Sequence, residues 1–327
     1  MSSLQPQSMN TLLTEKFVEP EWAIDEWLIK GEPALIVGEP KTYKSTLAVD
    51  MAVSLTTGGP FMGYKEVKET APVLYIQEEN NRSIVVPQLW TLMERDGYGY
   101  RAMEKDADGG FTPVWVPNED KGEAPFFLSL RSGWKGDEEG GDDVIEFCKK
   151  EGVQYIFIDP FYKVNPQGKF NNPDDVQPLL NTLTRMENEV GEDTAVVLVH
   201  HANKSVGSGG KRIMGSQLIW AWGANNIYLD KKKRGGKKWI QVEREFRAKE
   251  EPDGMWLRFN EGFEWEMDEV EYDAEGKTVN ARTSAGKMDF LEWARQNGQT
   301  YQNSTDAALA VTYGVTDRTI RNWKKEL

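Results

Sequence analysis

The sequence predicts an α/β fold in which a mostly parallel sheet is covered by helices on both faces. Short apolar runs alternate along the chain with segments of helical pattern. These runs are apolar at successive positions, which is typical of strands buried on both faces of a parallel sheet. The first run leads into a loop that contains one glycine and two lysines, and then into a helix. That order predicts an anion-binding turn at the carboxyl edge of the sheet.

Each predicted strand is followed or preceded by a predicted helix. The apolar runs read as strands are 34–37, 73–77, 155–159 and 195–200. The segments read as helices are 44–57, 82–95, 143–150 and 174–190. Strands alternating with helices in this way indicate crossover connections and therefore a parallel sheet.

The length of 327 residues allows one large domain and a smaller module. Gly235-Gly236 separates two further runs of strand pattern, which predicts a β-hairpin late in the large domain. We expect a polar arm, the α/β domain, an acidic linker and a helical module, at 1–16, 17–267, 268–283 and 284–327.

The C-terminal segment has the pattern of a small helix-turn-helix. Ala310 and Gly314 have the spacing at which a small residue lets two helices approach and a glycine makes the turn between them. Arg318 and Arg321 lie on the helix that would follow, where a recognition helix contacts DNA. The same small bundle could instead bind a replication protein, and the sequence leaves both partners open.

Composition narrows the classes of function. The net charge of −14 argues against general attraction to nucleic acid, so any such binding must depend on local basic segments. The single cysteine, Cys148, excludes an internal disulfide framework and fits a reducing cytoplasm. We expect it to be a packed helix residue rather than a nucleophile. No run of apolar residues approaches the roughly 18 that a membrane span needs.

The loop after the first strand has the pattern of a phosphate-binding loop. Its backbone N–H groups and the start of the next helix would surround an anion. Lys44 would neutralise the β- and γ-phosphates, and the Ser45 hydroxyl would bind Mg²⁺. We therefore expect ATP and Mg²⁺ as cofactors. The residues predicted to hold the nucleotide are Gly38, Pro40, Lys41, Thr42, Tyr43, Lys44, Ser45 and Thr46.

Tyr43 departs from the usual loop, which has glycine directly before the lysine. Tyrosine rarely adopts positive φ. We therefore expect the loop to take a conformation that suits an ordinary residue at this position.

Acidic side chains end two other predicted strands. Asp159 closes one strand, and its carboxylate is expected to hold Mg²⁺ opposite Ser45. Glu78 and Glu79 close another, and one of them is the candidate to position and polarise the attacking water. Strand alternation alone does not choose between the two.

Two adjacent histidines and a basic segment follow the last strand of the series. His201, or its neighbour His200, could sense the γ-phosphate, although a packed histidine would give the same pattern. The segment that follows is rich in glycine and basic residues, which suits contact with a single-stranded DNA backbone. Its candidate contacts are Lys204, Lys211 and Arg212.

Arg244 and Arg247 lie at the end of the predicted hairpin. A cation supplied to a neighbouring subunit's site would stabilise charge on the transferred phosphoryl group. Arg212 is a competing candidate for this role.

Taken together, these residues resemble the RepA-like branch of the RecA-type ATPases, which are hexameric replicative helicases of plasmids and phages. The similarity spans about residues 20–263 and lies in an ordered set of motifs: Gly38-x-Pro40-Lys41-Thr42-x-Lys44-Ser45, Leu74-Tyr75-Ile76 with its acidic end, Ile158-Asp159-Pro160, Asn172-Pro173-Asp174-Asp175 and Val199-His200-His201-Ala202-Asn203-Lys204. The resemblance implies a RecA-like core, a homo-oligomeric ring with ATP sites between subunits, and movement along single-stranded DNA. An ATP-switched DNA-binding initiator that assembles without translocating is the alternative.

Overall fold

The computed structural model describes residues 7–14, 19–202, 213, 217–234, 237–260, 264–269, 271–272 and 278–279, with the single positions 294, 305, 309, 320 and 324. The chain forms two compact units. The first comprises Met1–Asp230, Glu243–Pro252 and Phe259–Trp265, and the second Lys231–Val242, Asp253–Arg258 and Glu266–Leu327.

Helices and strands alternate through most of the chain. The helices are α1 (Met9–Thr14), α2 (Lys44–Thr57), α3 (Arg82–Arg95), α4 (Glu138–Glu151), α5 (Phe161–Val164), α6 (Pro173–Val190) and α7 (Gln217–Trp222). The strands are β1 (Trp22–Ile24), β2 (Leu28–Ile29), β3 (Ala34–Gly38), β4 (Val73–Gln77), β5 (Gly99–Lys105), β6 (Phe111–Pro117), β7 (Phe126–Leu130), β8 (Tyr155–Asp159), β9 (Ala195–His201), β10 (Asn225–Arg234), β11 (Lys237–Phe246), β12 (Met255–Asn260), β13 (Glu264–Glu269), β14 (Glu271–Tyr272) and β15 (Thr278–Val279).

The parallel part of the sheet forms the centre of the first unit, with strand order β10-β3-β9-β8-β4-β7. Every adjacent pair from β10 to β7 is parallel. The register places Gly38 beside His201 and Gln77 beside Asp159. The carboxyl ends of these strands therefore meet at one edge, and the predicted α/β fold with a mostly parallel sheet is confirmed.

The core owes its stability to strands and helices that bury apolar side chains. All five residues of β3, β4 and β8 are buried. Helices α4 and α6 pack an apolar stripe against this sheet, and Cys148 lies in that layer. Burial raises the pKa of the Cys148 thiol to about 12, which agrees with a packed residue rather than a nucleophile.

Helix α4 begins five residues earlier than the pattern predicts. Asp137 caps it by accepting a hydrogen bond from Gly140 N at 2.9 Å. A Cβ on Gly140 would lie 1.9 Å from the Lys135 carbonyl oxygen, and one on Gly141 would lie 2.6 Å from Thr182 Cγ2. The two glycines are therefore required for close packing, although they lower the helical propensity that a sequence reading detects.

In the second unit, β11 pairs with β12 in antiparallel fashion. The strands β10 and β11 are neighbours joined through 235–236, as the predicted hairpin requires. Ala294, Leu309 and Ile320 are helical and buried, but the rest of the predicted linker and helix-turn-helix lies mostly outside the described residues, so that module stays a prediction. Among the residues that the structure describes, no helix has the length and apolar character needed to span a bilayer.

Candidate functional site

The loop between β3 and α2 is closed on itself by two side chains. Thr42 Oγ1 and Lys44 Nζ each donate a hydrogen bond to the Glu39 carbonyl oxygen, both at 2.8 Å. A Cβ on Gly38 would lie 2.5 Å from Thr42 Oγ1 and 2.7 Å from the Leu229 carbonyl oxygen, so only glycine fits there. The loop thus holds the Lys44 ammonium at the start of α2, where a phosphate would be bound.

Tyr43 has φ 63° and ψ 24°, in the left-handed region. The expectation that the loop would avoid positive φ at this residue was wrong. A tyrosine in this region costs roughly 1 to 2 kcal/mol. Its ring packs against Phe259 and Trp265, with centroids 5.0 and 6.5 Å away. Aromatic pairs of this kind contribute about 0.5 to 1.5 kcal/mol each, enough to offset the strain.

Asp159 lies at the end of β8 and is almost fully buried. Its Oδ2 accepts hydrogen bonds from Gln77 Nε2 at 2.8 Å and Tyr75 Oη at 3.0 Å, and the carboxylate also accepts from the Ser45 hydroxyl. Burial raises the pKa of Asp159, while these three donors oppose that rise. Asp159 and Ser45 are therefore in direct contact, as the sequence reading required of two Mg²⁺-binding side chains.

Glu78 and Glu79 point to different neighbours. The Glu78 carboxylate accepts from Ser132 Oγ at 2.8 Å and from Gly133 N at 3.0 Å, on the segment after β7. Glu79 is exposed, accepts a hydrogen bond from Tyr162, and raises the pKa of Asp159 by its charge, after the larger effect of burial. Of the two glutamates, Glu79 is the one that faces the Asp159 side of the loop.

The two histidines at the end of β9 also differ. His200 is fully buried, with its ring edge-on to Phe161 at 5.0 Å. His201 packs beside Tyr162 at 5.2 Å. Burial lowers the pKa of His201, and Lys44 lowers it further, whereas Glu79 acts in the opposite direction. His201 therefore lies within the electrostatic reach of both Lys44 and Glu79.

Three polar residues of this arrangement were not singled out from the sequence. Tyr75 and Gln77 hold Asp159, and Gln77 Oε1 also accepts from the backbone N–H groups of Glu79 and Asn80, both at 2.9 Å. Tyr162 contacts Glu79 and His201. A polar residue at the last position of an otherwise apolar strand was the signal that could have identified Gln77.

These residues fit a triphosphate with Mg²⁺. A lysine ammonium, a serine hydroxyl and a buried carboxylate converge at a helix N-terminus, which is the donor set such a complex requires. In the described part of the chain, no group of three or more His, Cys, Asp or Glu residues could hold a metal alone. A cation here would be held by Ser45 and Asp159 together with oxygens of the nucleotide and water.

Comparison with known proteins identifies the family. The sequence profile of AAA_25, described as an AAA domain, matches residues 2–207. The chain belongs to the AAA_25 family. It is therefore an ATPase of the P-loop class. No curated protein matches the sequence.

Solved structures also match this AAA_25 protein. One is the crystal structure of a KaiC-like protein from the archaeon Pyrococcus horikoshii OT3, at 11% identity and a TM-score of 0.47. That match covers 77% of this chain and 99% of the archaeal chain.

The two arginines considered as donors to a neighbouring site have partners within their own unit. Arg244 is buried, donates to the Glu26 carbonyl oxygen at 3.2 Å and lies over the Trp27 ring at 5.1 Å. Arg247 is exposed and donates to the Ala221 carbonyl oxygen at 2.6 Å. It lines a cavity of about 540 Å³ beside residues that precede β3 and β9, at the sheet edge opposite the loop.

Lys204, Lys211, Arg212, Arg318 and Arg321 all lie outside the described residues. Single-stranded DNA as a partner, and duplex DNA or a replication protein as a partner of the tail, remain predictions from the sequence.

Proposed function

We propose that this protein is a ring-forming, ATP-hydrolysing DNA motor, a replicative helicase of the RepA-like type. The observation that supports it most is the convergence of Lys44, Ser45, Asp159, Glu79 and His201 at one sheet edge. Each of these side chains suits one role in the transfer of the γ-phosphoryl group to water: stabilising phosphate charge, holding Mg²⁺, activating the water or sensing the γ-phosphate.

In this reaction Lys44 and the loop N–H groups stabilise the negative charge that grows on the phosphate oxygens. Ser45 and Asp159 would hold the Mg²⁺ that accompanies the nucleotide, and the bound ion would neutralise phosphate charge. Glu79 accepts a proton from the attacking water while the water oxygen forms a bond to the γ-phosphorus. The bond between the γ-phosphorus and the oxygen that bridges it to the β-phosphate breaks in the same step. The products are ADP, phosphate and that proton.

His201 offers a route from the nucleotide to the polymer. It is influenced by both Lys44 and Glu79, and β9 continues directly from it into the basic segment 203–212. A change of charge at the γ-phosphate position would alter the electrostatic potential at His201. The basic residues of that segment are suited to a phosphodiester backbone. This chain order supports coupling between hydrolysis and DNA contact.

The experiment measures ATP hydrolysis with and without single-stranded DNA, followed by displacement of an annealed strand. Wild-type protein should hydrolyse ATP faster with DNA and separate the strands. Lys44→Ala should abolish both activities, whereas Lys150→Ala, which removes an exposed lysine of α4, should change neither. Hydrolysis by Lys44→Ala at the wild-type rate would refute the site.

The alternative is an ATP-switched initiator or regulator of DNA replication. Tyr43, the acidic composition and the predicted tail module are compatible with it. ATP-dependent assembly and duplex binding without strand displacement, with duplex binding lost on removal of 284–327, would favour this alternative over the motor.

A further inference from the structure

Three aromatic side chains form a cluster beside the phosphate-binding loop. The ring centroids of Tyr43 and Phe259 lie 5.0 Å apart, those of Phe259 and Trp265 4.9 Å, and those of Tyr43 and Trp265 6.5 Å. Tyr43 is 41% exposed, and the other two are partly exposed. We call Tyr43, Phe259 and Trp265 the aromatic platform. It leaves apolar ring surface accessible at the mouth of a loop that is otherwise polar.

We propose that the aromatic platform stacks the base of the bound nucleotide and gives the site a preference for purine nucleoside triphosphates. This inference rests on the proposed ATP binding by the loop. It adds a base-binding subsite that the phosphate contacts do not provide.

The position of the platform suits a base rather than a phosphate. Asp159 and His201 end strands β8 and β9, Glu79 follows the end of β4, and all three strands lie on one side of β3. Phe259 and Trp265 belong to β12 and β13, which lie beyond β10 on the other side of β3. A triphosphate held by the loop with its γ end toward Glu79 directs its nucleoside the other way. The aromatic platform is the apolar surface found in that direction.

The platform is anchored to the same helix that the loop opens. Trp265 Nε1 donates to Asp50 Oδ2 at 2.8 Å, and Asp50 is fully buried in α2. The second Asp50 oxygen pairs with Arg95 NH1 at 2.7 Å. Because Asp50 lies on α2 and Lys44 begins it, the indole and the phosphate-binding lysine are fixed to one rigid element. Such preorganisation reduces the entropy lost when a base stacks.

The unusual conformation of Tyr43 agrees with this role. Glycine would occupy φ 63° without strain, yet the chain places its most exposed platform ring there. Strained residues concentrate at ligand sites, where the surrounding structure maintains them. The ring contacts to Phe259 and Trp265 maintain Tyr43, and the same face of the cluster is available to a base.

Stacking predicts which ligands the platform distinguishes. Base–aromatic stacking is tolerant of base identity because every base has a π face, and it contributes a factor of roughly 5 to 150 in affinity. Purines present a larger face than pyrimidines. We therefore expect ATP and GTP to bind more tightly than CTP, with modest discrimination between the two purines.

The test compares ATP with inorganic tripolyphosphate, each titrated calorimetrically with Mg²⁺. In Tyr43→Gly, which removes the ring and relieves the strain, ATP should bind roughly 5- to 150-fold more weakly while tripolyphosphate binds as in wild type. Tyr43→Phe keeps the ring and should retain wild-type ATP affinity. Phe259→Leu should weaken ATP alone. These outcomes, with a purine preference that shrinks in Tyr43→Gly, would support the proposal.

Two results would overturn it. If Tyr43→Gly binds ATP as tightly as wild type, the ring does not contact the base. If it loses ATP and tripolyphosphate equally, the ring acts on the loop and not on the base. Failure of the proposed function is a separate result: ATP and tripolyphosphate would then both fail to bind the wild-type protein.

Discussion

Glu187 should make the protein less stable as the pH rises from mildly acidic to mildly alkaline. Its Oε1 accepts a hydrogen bond from the Val196 N–H at 3.0 Å. Burial raises the pKa of Glu187 from 4.5 to about 8, and the charge of Glu32 adds to that rise. The carboxyl is therefore neutral in the folded protein at a pH where the unfolded chain has already ionised.

The sign and size of the effect follow from this difference. The contribution of Glu187 to the free energy of unfolding is greatest when the pH is below 4.5, the pKa of this group in the unfolded chain. That contribution falls as the pH rises and is lost once the pH passes the folded pKa of about 8. The full shift corresponds to roughly 5 kcal/mol. Because the side chain keeps some exposure to solvent, we expect about 2 to 3 kcal/mol.

The measurement is the free energy of unfolding in urea at about pH 5.5 and at about pH 8.5. Most of the loss of the Glu187 contribution to stability falls between these two pH values. Glu187→Gln cannot ionise, so its loss of stability between the two pH values should be about 2 kcal/mol smaller than that of wild type. Glu146→Gln, which changes an exposed glutamate of α4, is the matched control and should behave as wild type. Equal pH dependence in Glu187→Gln and wild type would contradict the reasoning.

Two further predictions concern the site and its support. Glu79→Gln should lower kcat for ATP hydrolysis, measured by steady-state kinetics, by a factor of about 10² to 10⁴. Glu78→Gln should keep kcat within about threefold of wild type. A larger loss of kcat in Glu78→Gln than in Glu79→Gln would reject Glu79 as the base. Arg95→Met should destabilise the protein by about 3 kcal/mol in urea unfolding because it leaves the buried Asp50 carboxylate without its cation. Adding Asp50→Asn to Arg95→Met should recover part of that loss, and no recovery would mean that lost packing is the cause.

Much of the fold could be predicted from local patterns. The strands β4 and β8 and the helix α3 have the bounds that the sequence indicates, because their periodicity reflects their own burial. The contact between Ser45 and Asp159 could also be predicted from the sequence, because parallel strands bring their carboxyl ends to one edge of the sheet.

What the sequence could not provide depends on residues distant in the chain. Tyr43 tolerates positive φ because of rings more than two hundred positions away. Our proposal that Glu79 rather than Glu78 is the base depends on Ser132 and Gly133, which donate hydrogen bonds to Glu78. Arg244 is predicted to supply a cation to a neighbouring subunit's site, and in the folded chain it contacts Glu26 and Trp27. Local pattern carries no information about such partners.

The Ala202 N–H donates to the Gly38 carbonyl oxygen at 3.0 Å, which joins the exit of β9 to the entrance of the phosphate-binding loop. This link uses main-chain atoms only, so most side-chain replacements leave it intact, and a proline at 202 is the replacement that would remove its donor. The end of β9 consequently stays attached to the phosphate-binding loop through main-chain atoms, whatever side chain other than proline stands at position 202.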